Sequence, residues 1–346
     1  MELTKTELAE LLMQYGIPDF KTFEMIDSSH GENDIRNNYI VDKAFVLRMN
    51  SARVMTEERI AELNTLIDRY REFGMLAPRF LPTRNGTYVV EREGWCGYLS
   101  EYLDYALADD VKETCRKELI RERLIMVANF ANRYASVDLT ETVSMYSIFD
   151  LSPYDQLAGI EEKQDNFNNL ICDLKQAGEL PLAEKLTAQY RIIRARLLPM
   201  HHQLPRCVFQ GDENFSNLCV DENKHIIGLF DFNMSGTEVI ANYLANIAFQ
   251  GNFYYTDELM GKHSAEEVFR MMVDSYEEST VELRKHYPFT EMEYQAYRLY
   301  SMIVMISGYV NQAAFSEFMQ NEEYKGKIIV LLAMISDWFE KEGIAP

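Results

Sequence analysis

Within FQGDENFSNL, residues 209–218, four polar side chains (Asp212, Glu213, Asn214 and Asn217) interrupt an apolar stretch. A second short apolar run, HIIGLF, ends at Asp231-Phe232-Asn233. RCVF reads as a strand entering the polar loop, NLCV as a strand leaving it, and DENK as the turn before HIIGLF. Two strands returning side by side would bring Asp212, Asn217 and Asp231 to one end of a hairpin. Such a trio suits phosphoryl transfer. One carboxylate positions the attacking hydroxyl, and carboxylate and amide oxygens hold magnesium against nucleotide phosphates. On this reading Asp212 is the base, with Asn217 and Asp231 the metal ligands. The plain alternative for Asp212 and Asn217 is a capped turn, since Asp and Asn are favoured there.

The elements around these residues fall into two regimes. Between about Phe20 and Leu103, β-rich runs (NNYIV, AFVLRMN, TYVVERE, GYLSEYL) alternate with turn residues. One helical pattern interrupts them at 56–73, where Ile60, Leu63, Leu66, Ile67 and Tyr70 recur at helical spacing behind a Thr cap. Beyond Asp104 the apolar periodicity is mostly helical, with short strands only near the polar loop. The fold class expected is α+β in two lobes: residues 1–103, a small antiparallel sheet with one inserted helix, and residues 104–346, larger and mainly helical. A chain of 346 residues exceeds what one core usually supports, which agrees.

Composition narrows the function. With 47% hydrophobic and 26% charged residues the chain should bury a sizeable core. A formal charge of −21 disfavours nucleic acid as a partner; it serves solubility or attracts a cationic small molecule. The amino terminus lacks the basic start and apolar centre of a signal peptide, and residues 299–315 are too short and polar to span a bilayer, so a cytoplasmic protein with no membrane partner is expected. The five cysteines are scattered without a Cys-x-x-Cys pair, and the adjacent His201 and His202 suit a loop better than a metal face.

QGDENFSN followed by GLFDFN resembles the catalytic-loop and metal-loop pair of the aminoglycoside phosphotransferase and choline kinase family. That family's pattern runs His-Gly-Asp, four residues, Asn, then a strand and Ile-Asp-Phe or a variant. The resemblance extends from about Phe20 through Phe249 and implies a protein-kinase-like fold that uses ATP or GTP with magnesium. It places Arg48 where a phosphate-contacting Lys usually stands and Glu62 as its ion-pair partner. It also puts Ser28, Ser29 and Gly31 in a loop over the nucleotide phosphates, and makes YLSEYL, with Glu101 and Leu103, the hinge whose backbone meets the base. Outside the motif pair, Glu62 reads as a solvated helix residue and Arg48 as an exposed strand residue.

The chain departs from the family pattern at Gln210 for His, Arg48 for Lys, Asn233 after Asp-Phe, and Asn242 where Asp often caps the next helix. MSGTEVIANYLANIAF passes almost directly into a helical pattern, leaving little room for a peptide platform, so the acceptor is expected to be a small molecule. Tyr254 to Glu258, Glu266, Glu267, Asp274, Glu277, Glu278 and Glu282 could hold a cationic one, aminoglycoside or choline-like; a homoserine-like or sugar acceptor stays open, as does a charged outer helix face. Two rival readings are a degenerate kinase fold that binds nucleotide or ligand without turnover and a helical interaction protein whose motif match is accidental.

Overall fold

The computed structural model describes residues 2–29, 34–51, 55–155, 159–249 and 253–345. In chain order the first elements are α1 (Lys5–Gln14), β1 (Phe23–Asp27), β2 (Arg36–Val41), β3 (Phe45–Asn50), α2 (Glu57–Glu72), β4 (Phe80–Leu81), β5 (Val89–Arg92), β6 (Trp95–Glu101), β7 (Ala106–Leu107) and α3 (Ala108–Tyr134). They are followed by α4 (Glu162–Gln176), α5 (Leu180–His201), β8 (Arg206–Phe209), β9 (Leu218–Val220), β10 (Ile226–Leu229), β11 (Gly236–Val239) and α6 (Ile240–Phe249). The chain ends with α7 (Asp257–Lys262), α8 (Ala265–His286), α9 (Glu291–Ser307), α10 (Tyr309–Gln320) and α11 (Lys325–Lys341).

Contacts divide the chain into two compact units, Met1–Leu119 with Asp212–Asn233, and Ile120–Gly211 with Met234–Pro346. Composition alone places a break after residue 103. By compactness the segment carrying Asp212, Asn217 and Asp231 groups with the sheet, for two reasons: β9 pairs with β7, and Gly228 bridges Leu76. Leu76 donates its N–H to Ile227 and accepts from Leu229; a Cβ at Gly228 would stand 2.7 Å from the Leu76 carbonyl oxygen, so only glycine permits the approach.

In the first unit the antiparallel sheet runs β1-β2-β3-β6-β4, with β5 also on β6. Cross-strand pairs assign its faces. Arg36 opposes Asn50, Asn38 opposes Arg48, and Arg48 opposes Tyr98, so these side chains share one face. The opposite face carries Tyr39, Val41, Leu47, Met49 and Leu99, which pack with Leu8, Leu11 and Leu12 of α1. Helix α1 starts at a capping box between Thr4 and Glu7. Helix α2 follows the sequence closely: Thr56 accepts from the Arg59 N–H at its start, and Ile60, Leu63, Leu66, Ile67 and Tyr70 are all buried.

The second unit is helical around α9, whose residues Leu299 to Ser307 are all buried and which packs against α4, α5, α6 and α10. The apolar run noted near residue 299 is therefore a buried core helix. Among the described residues no helix is long and apolar enough to cross a membrane. One element differs from the sequence reading: Gly236–Val239 forms a strand, β11, paired antiparallel to β8 before α6 begins. Thr237 and Val239 are β-branched, and the partner strand decides a segment too short for periodicity to assign.

Candidate active site

Strand β10 returns beside β9 with Leu229 opposite Leu218, which puts Asn217 and Phe230 at the same end of the ribbon. There the Phe230 N–H donates to the Asn217 carbonyl at 3.1 Å. The next residue, Asp231, has φ +59°, a left-handed conformation uncommon outside glycine; held at a strand end it costs energy that the surrounding packing must supply.

Asp212 is held through both carboxylate oxygens. Asn214 Nδ2 donates to Oδ1 at 2.7 Å, and Asn217 Nδ2 donates to Oδ2 at 2.9 Å and to the Asp212 backbone oxygen at 2.9 Å. Asn214 in turn caps the 3-10 turn Phe215–Asn217 by accepting from the Ser216 N–H. The polar cluster is thus one locked loop. Burial raises the Asp212 carboxyl above its ordinary value; the Asn214 hydrogen bond opposes that shift and the nearby Asp231 carboxylate reinforces it.

Just before this loop, Gly211 has φ +93°, and a Cβ there would collide with the Met234 carbonyl. Its N–H donates to the Tyr243 hydroxyl at 3.2 Å. Gln210 is fully buried and its carbonyl accepts from Ser235 Oγ. Asn242, standing where the family often has a helix-capping Asp, lies inside α6 and donates to the Tyr146 carbonyl.

Arg48, Ser100, Phe80, Phe232 and Asn233 line a small crevice with Asp231. The ion pair expected between Arg48 and Glu62 is not made. Arg48 Nη1 donates to Ser100 Oγ at 2.8 Å, a diagonal neighbour across the β3–β6 ladder. Glu62 meets Arg59 at 3.5 Å, one turn away on α2, and Arg59 also donates to the Asn233 carbonyl. Arg36, which the sequence reading did not select, shares the Arg48 face; Asp34 holds its charge, and its guanidinium also feels Asp231. The alternation of β2 was the signal that could have found it.

The serines close their own hairpin. Ser28 N–H donates to the Arg36 carbonyl and Ser28 Oγ accepts from Asn38, while Ser29 donates its N–H to Asp27 and its Oγ accepts from the Arg36 N–H. Gly31 lies outside the described residues. At the segment expected to be the hinge, the Glu101 carboxylate is taken by Arg71 and the Arg79 N–H, and the Glu101 N–H by the Arg79 carbonyl. Among the described residues the Leu103 N–H has no acceptor, so it alone of these two retains a free backbone donor.

Three acidic residues of the last helices are spent on structure. Glu267 closes a capping box, Glu258 pairs with Lys262, and Glu282 pairs with Arg121 and Lys285. Glu277 instead lines a cavity of about 330 Å³ with Tyr276, Tyr294 and Trp338.

The donor set suits magnesium better than a softer metal. No cluster of three His, Cys, Asp or Glu among the described residues could hold an ion by itself. Asn217 commits its nitrogen to Asp212, so a metal here would meet its amide oxygen and the carboxylate of Asp231. Magnesium typically takes one or two such protein oxygens, with phosphate and water completing its shell.

The antiparallel sheet unit, the helical unit and this loop pair define a protein-kinase-like phosphotransferase that acts on hydroxyl groups. A model of the phosphotransferase enzyme family matches residues 31–258, and the chain belongs to that family. Among solved structures, the fold is shared with spectinomycin phosphotransferase APH(9)-Ia in complex with ADP and spectinomycin (12% identity, 98% of this chain and 99% of that one, TM-score 0.51). It is shared also with the GDP and kanamycin complex of APH(2″)-IIia (11% identity, 96% and 99% covered, TM-score 0.51). No curated protein gives a significant match.

Proposed function

We propose that the protein transfers the γ-phosphoryl group of ATP or GTP to a hydroxyl of a small molecule, with Asp212 receiving the hydroxyl proton. The observation that carries this reading is the grip of Asn214 and Asn217 on both oxygens of Asp212, which fixes the carboxylate before substrate arrives. As the oxygen–phosphorus bond forms, the proton passes to Asp212 and the nucleoside diphosphate leaves. Arg48 and Arg36, on one face of the sheet, grip phosphate oxygens, and the Leu103 N–H donates to the base. Asn217 and Asp231 would hold magnesium, which when bound offsets the negative charge of the phosphate oxygens.

The acceptor in this reading is a hydroxylated amine, aminoglycoside or choline-like, and the support is the −21 charge together with family membership. A homoserine-like acceptor is the comparison compound. Calorimetric titration of ATP and of GTP, with and without magnesium, into the parent and Asp231→Ala, followed by an acceptor screen, tests the reading. Magnesium-dependent binding that disappears in the variant supports it; a folded parent that binds neither nucleotide refutes it.

One observation favours a second reading, a module that binds nucleotide without turnover: Arg48 is engaged by Ser100 and Glu62 by Arg59. It predicts nucleotide binding with no transfer to any acceptor in the screen.

A further inference from the structure

Between α4 and α5 in the second unit lies a groove of about 700 Å³, within the range of small-molecule sites. Its lining includes Lys175, Arg191 and Arg194 and no carboxylate. That is unusual in a chain with 55 acidic and 34 basic residues. Helix α5 concentrates the charge, carrying Lys185, Arg191, Arg194 and Arg196 against Glu184.

The cations differ in their commitments. Lys185 pairs with Asp337, and Arg194 pairs with Glu161 while its guanidinium sits 5.6 Å from the Tyr190 ring centre. Lys175 and Arg191 are exposed and make no ion pair among the described residues. Beneath them Phe167 and Tyr190 stack with centroids 3.9 Å apart, and Ile171 adds apolar wall. Gln164 donates to Asn168 Oδ1, which leaves the Asn168 amide N–H groups as further donors. Free positive charges above an apolar floor, with no acid to neutralise them, suit a ligand with an anionic head and a flat apolar body. Because a surrounding charge of −21 repels anions at long range, the attraction must act within about a Debye length of ~8 Å.

We infer that this groove binds a small molecule bearing a phosphate or carboxylate on a ring-sized apolar body, through Lys175 and Arg191. The site uses none of the residues assigned to phosphoryl transfer, so it stands or falls independently of that activity.

Cys172 supplies the readout, because it is exposed and lines the groove, whereas Cys96, Cys207 and Cys219 are buried and Cys115 is half-buried. The full-length protein would be titrated by calorimetry with phenyl phosphate, benzoate and the neutral benzyl alcohol. Maleimide labelling of Cys172 and Cys115 would be followed by mass spectrometry alongside. The expected result is saturable binding of at least one anion, slower labelling of Cys172 but not Cys115, and no protection by benzyl alcohol; which anion binds names the head group. Binding should weaken at least about tenfold in Arg191→Gln and further when Lys175→Gln is added, and stay unchanged in Arg48→Ala. The inference is overturned by no saturable binding to the folded parent or by equal protection from benzyl alcohol. It is overturned equally by binding that survives the groove variants but is lost in Arg48→Ala, which would move the anion to the sheet face.

Discussion

Asn217 reaches Asp212 twice with one nitrogen, donating at 2.9 Å to its backbone oxygen and at 2.9 Å to its carboxylate, while its own carbonyl receives the Phe230 N–H. One side chain and its backbone thus fix the Asp212 carboxylate and tie it to the strand end that presents Asp231. In the proposed mechanism, positioning of the base and metal binding would both rest on this one residue.

Asn217→Ala should accordingly lower kcat by about 100-fold or more and weaken the response to magnesium, while costing about 1–3 kcal/mol of stability for the lost buried hydrogen bonds. Steady-state rates across a magnesium series and a denaturant melt check this. Parent-like kcat with a parent-like magnesium response would remove Asn217 from the site.

Arg48 and Glu62 should behave unequally because each has a different partner. Arg48→Ala is expected to raise the nucleotide KM about tenfold through the lost phosphate grip. Glu62→Ala removes only a half-exposed contact with Arg59 and should change KM by less than about twofold. Equal losses in the two variants would mean that the pair expected from the resemblance forms when nucleotide binds.

Gly211→Ala combines a left-handed φ of +93° with a collision against the Met234 carbonyl. A destabilisation of about 2–4 kcal/mol is expected, together with lost activity. Thermal melts of the two proteins measure it, and an unchanged Tm would contradict the geometry.

Glu238, 3% exposed, has its carboxyl pushed up to about 7 by burial, with the Asn242 and Val239 hydrogen bonds and then Lys163 and Arg206 opposing. Because the fold raises this value above the ordinary 4.5, the folded state favours the protonated form. That contribution to stability is complete below pH 4.5 and is lost as pH rises to about 7. Glu238→Gln, which mimics the protonated group, should match the parent near pH 4.5 and exceed it by about 3 kcal/mol above pH 7. A difference between the two proteins that is flat with pH would show that the fold does not move the Glu238 carboxyl from its ordinary value.

Much of this was legible in the sequence, where local chemistry and tertiary structure agree. The Thr56 cap and the apolar positions of α2 declare a helix wherever it packs, and the spacing of Asp212, Asn217 and Asp231 declares two loops at one end of a ribbon. What escaped depends on neighbours distant in sequence. Helix α1 has its apolar face explained only by Tyr39, Leu47 and Leu99 across the sheet. Strand β11 is too short to show a period and exists because β8 is there to pair with it. The Arg48 hydrogen bond to Ser100, 52 residues away, depends on the diagonal position across the ladder, which no local pattern shows. For the acids of the last helices the sequence leaves an acceptor surface and a charged outer face both open, and only the fold shows Glu267 capping a helix and Glu258 and Glu282 pairing with cations.

The central claim is that Asp212 moves the proton while other residues hold the nucleotide. Single-turnover transfer from ATP to an acceptor identified by the screen, compared between the parent and Asp212→Ala, tests it most directly when nucleotide affinity is measured on the same samples. The account predicts nucleotide affinity within about threefold of the parent and transfer reduced by at least about 1,000-fold. Near-normal transfer by Asp212→Ala would contradict it.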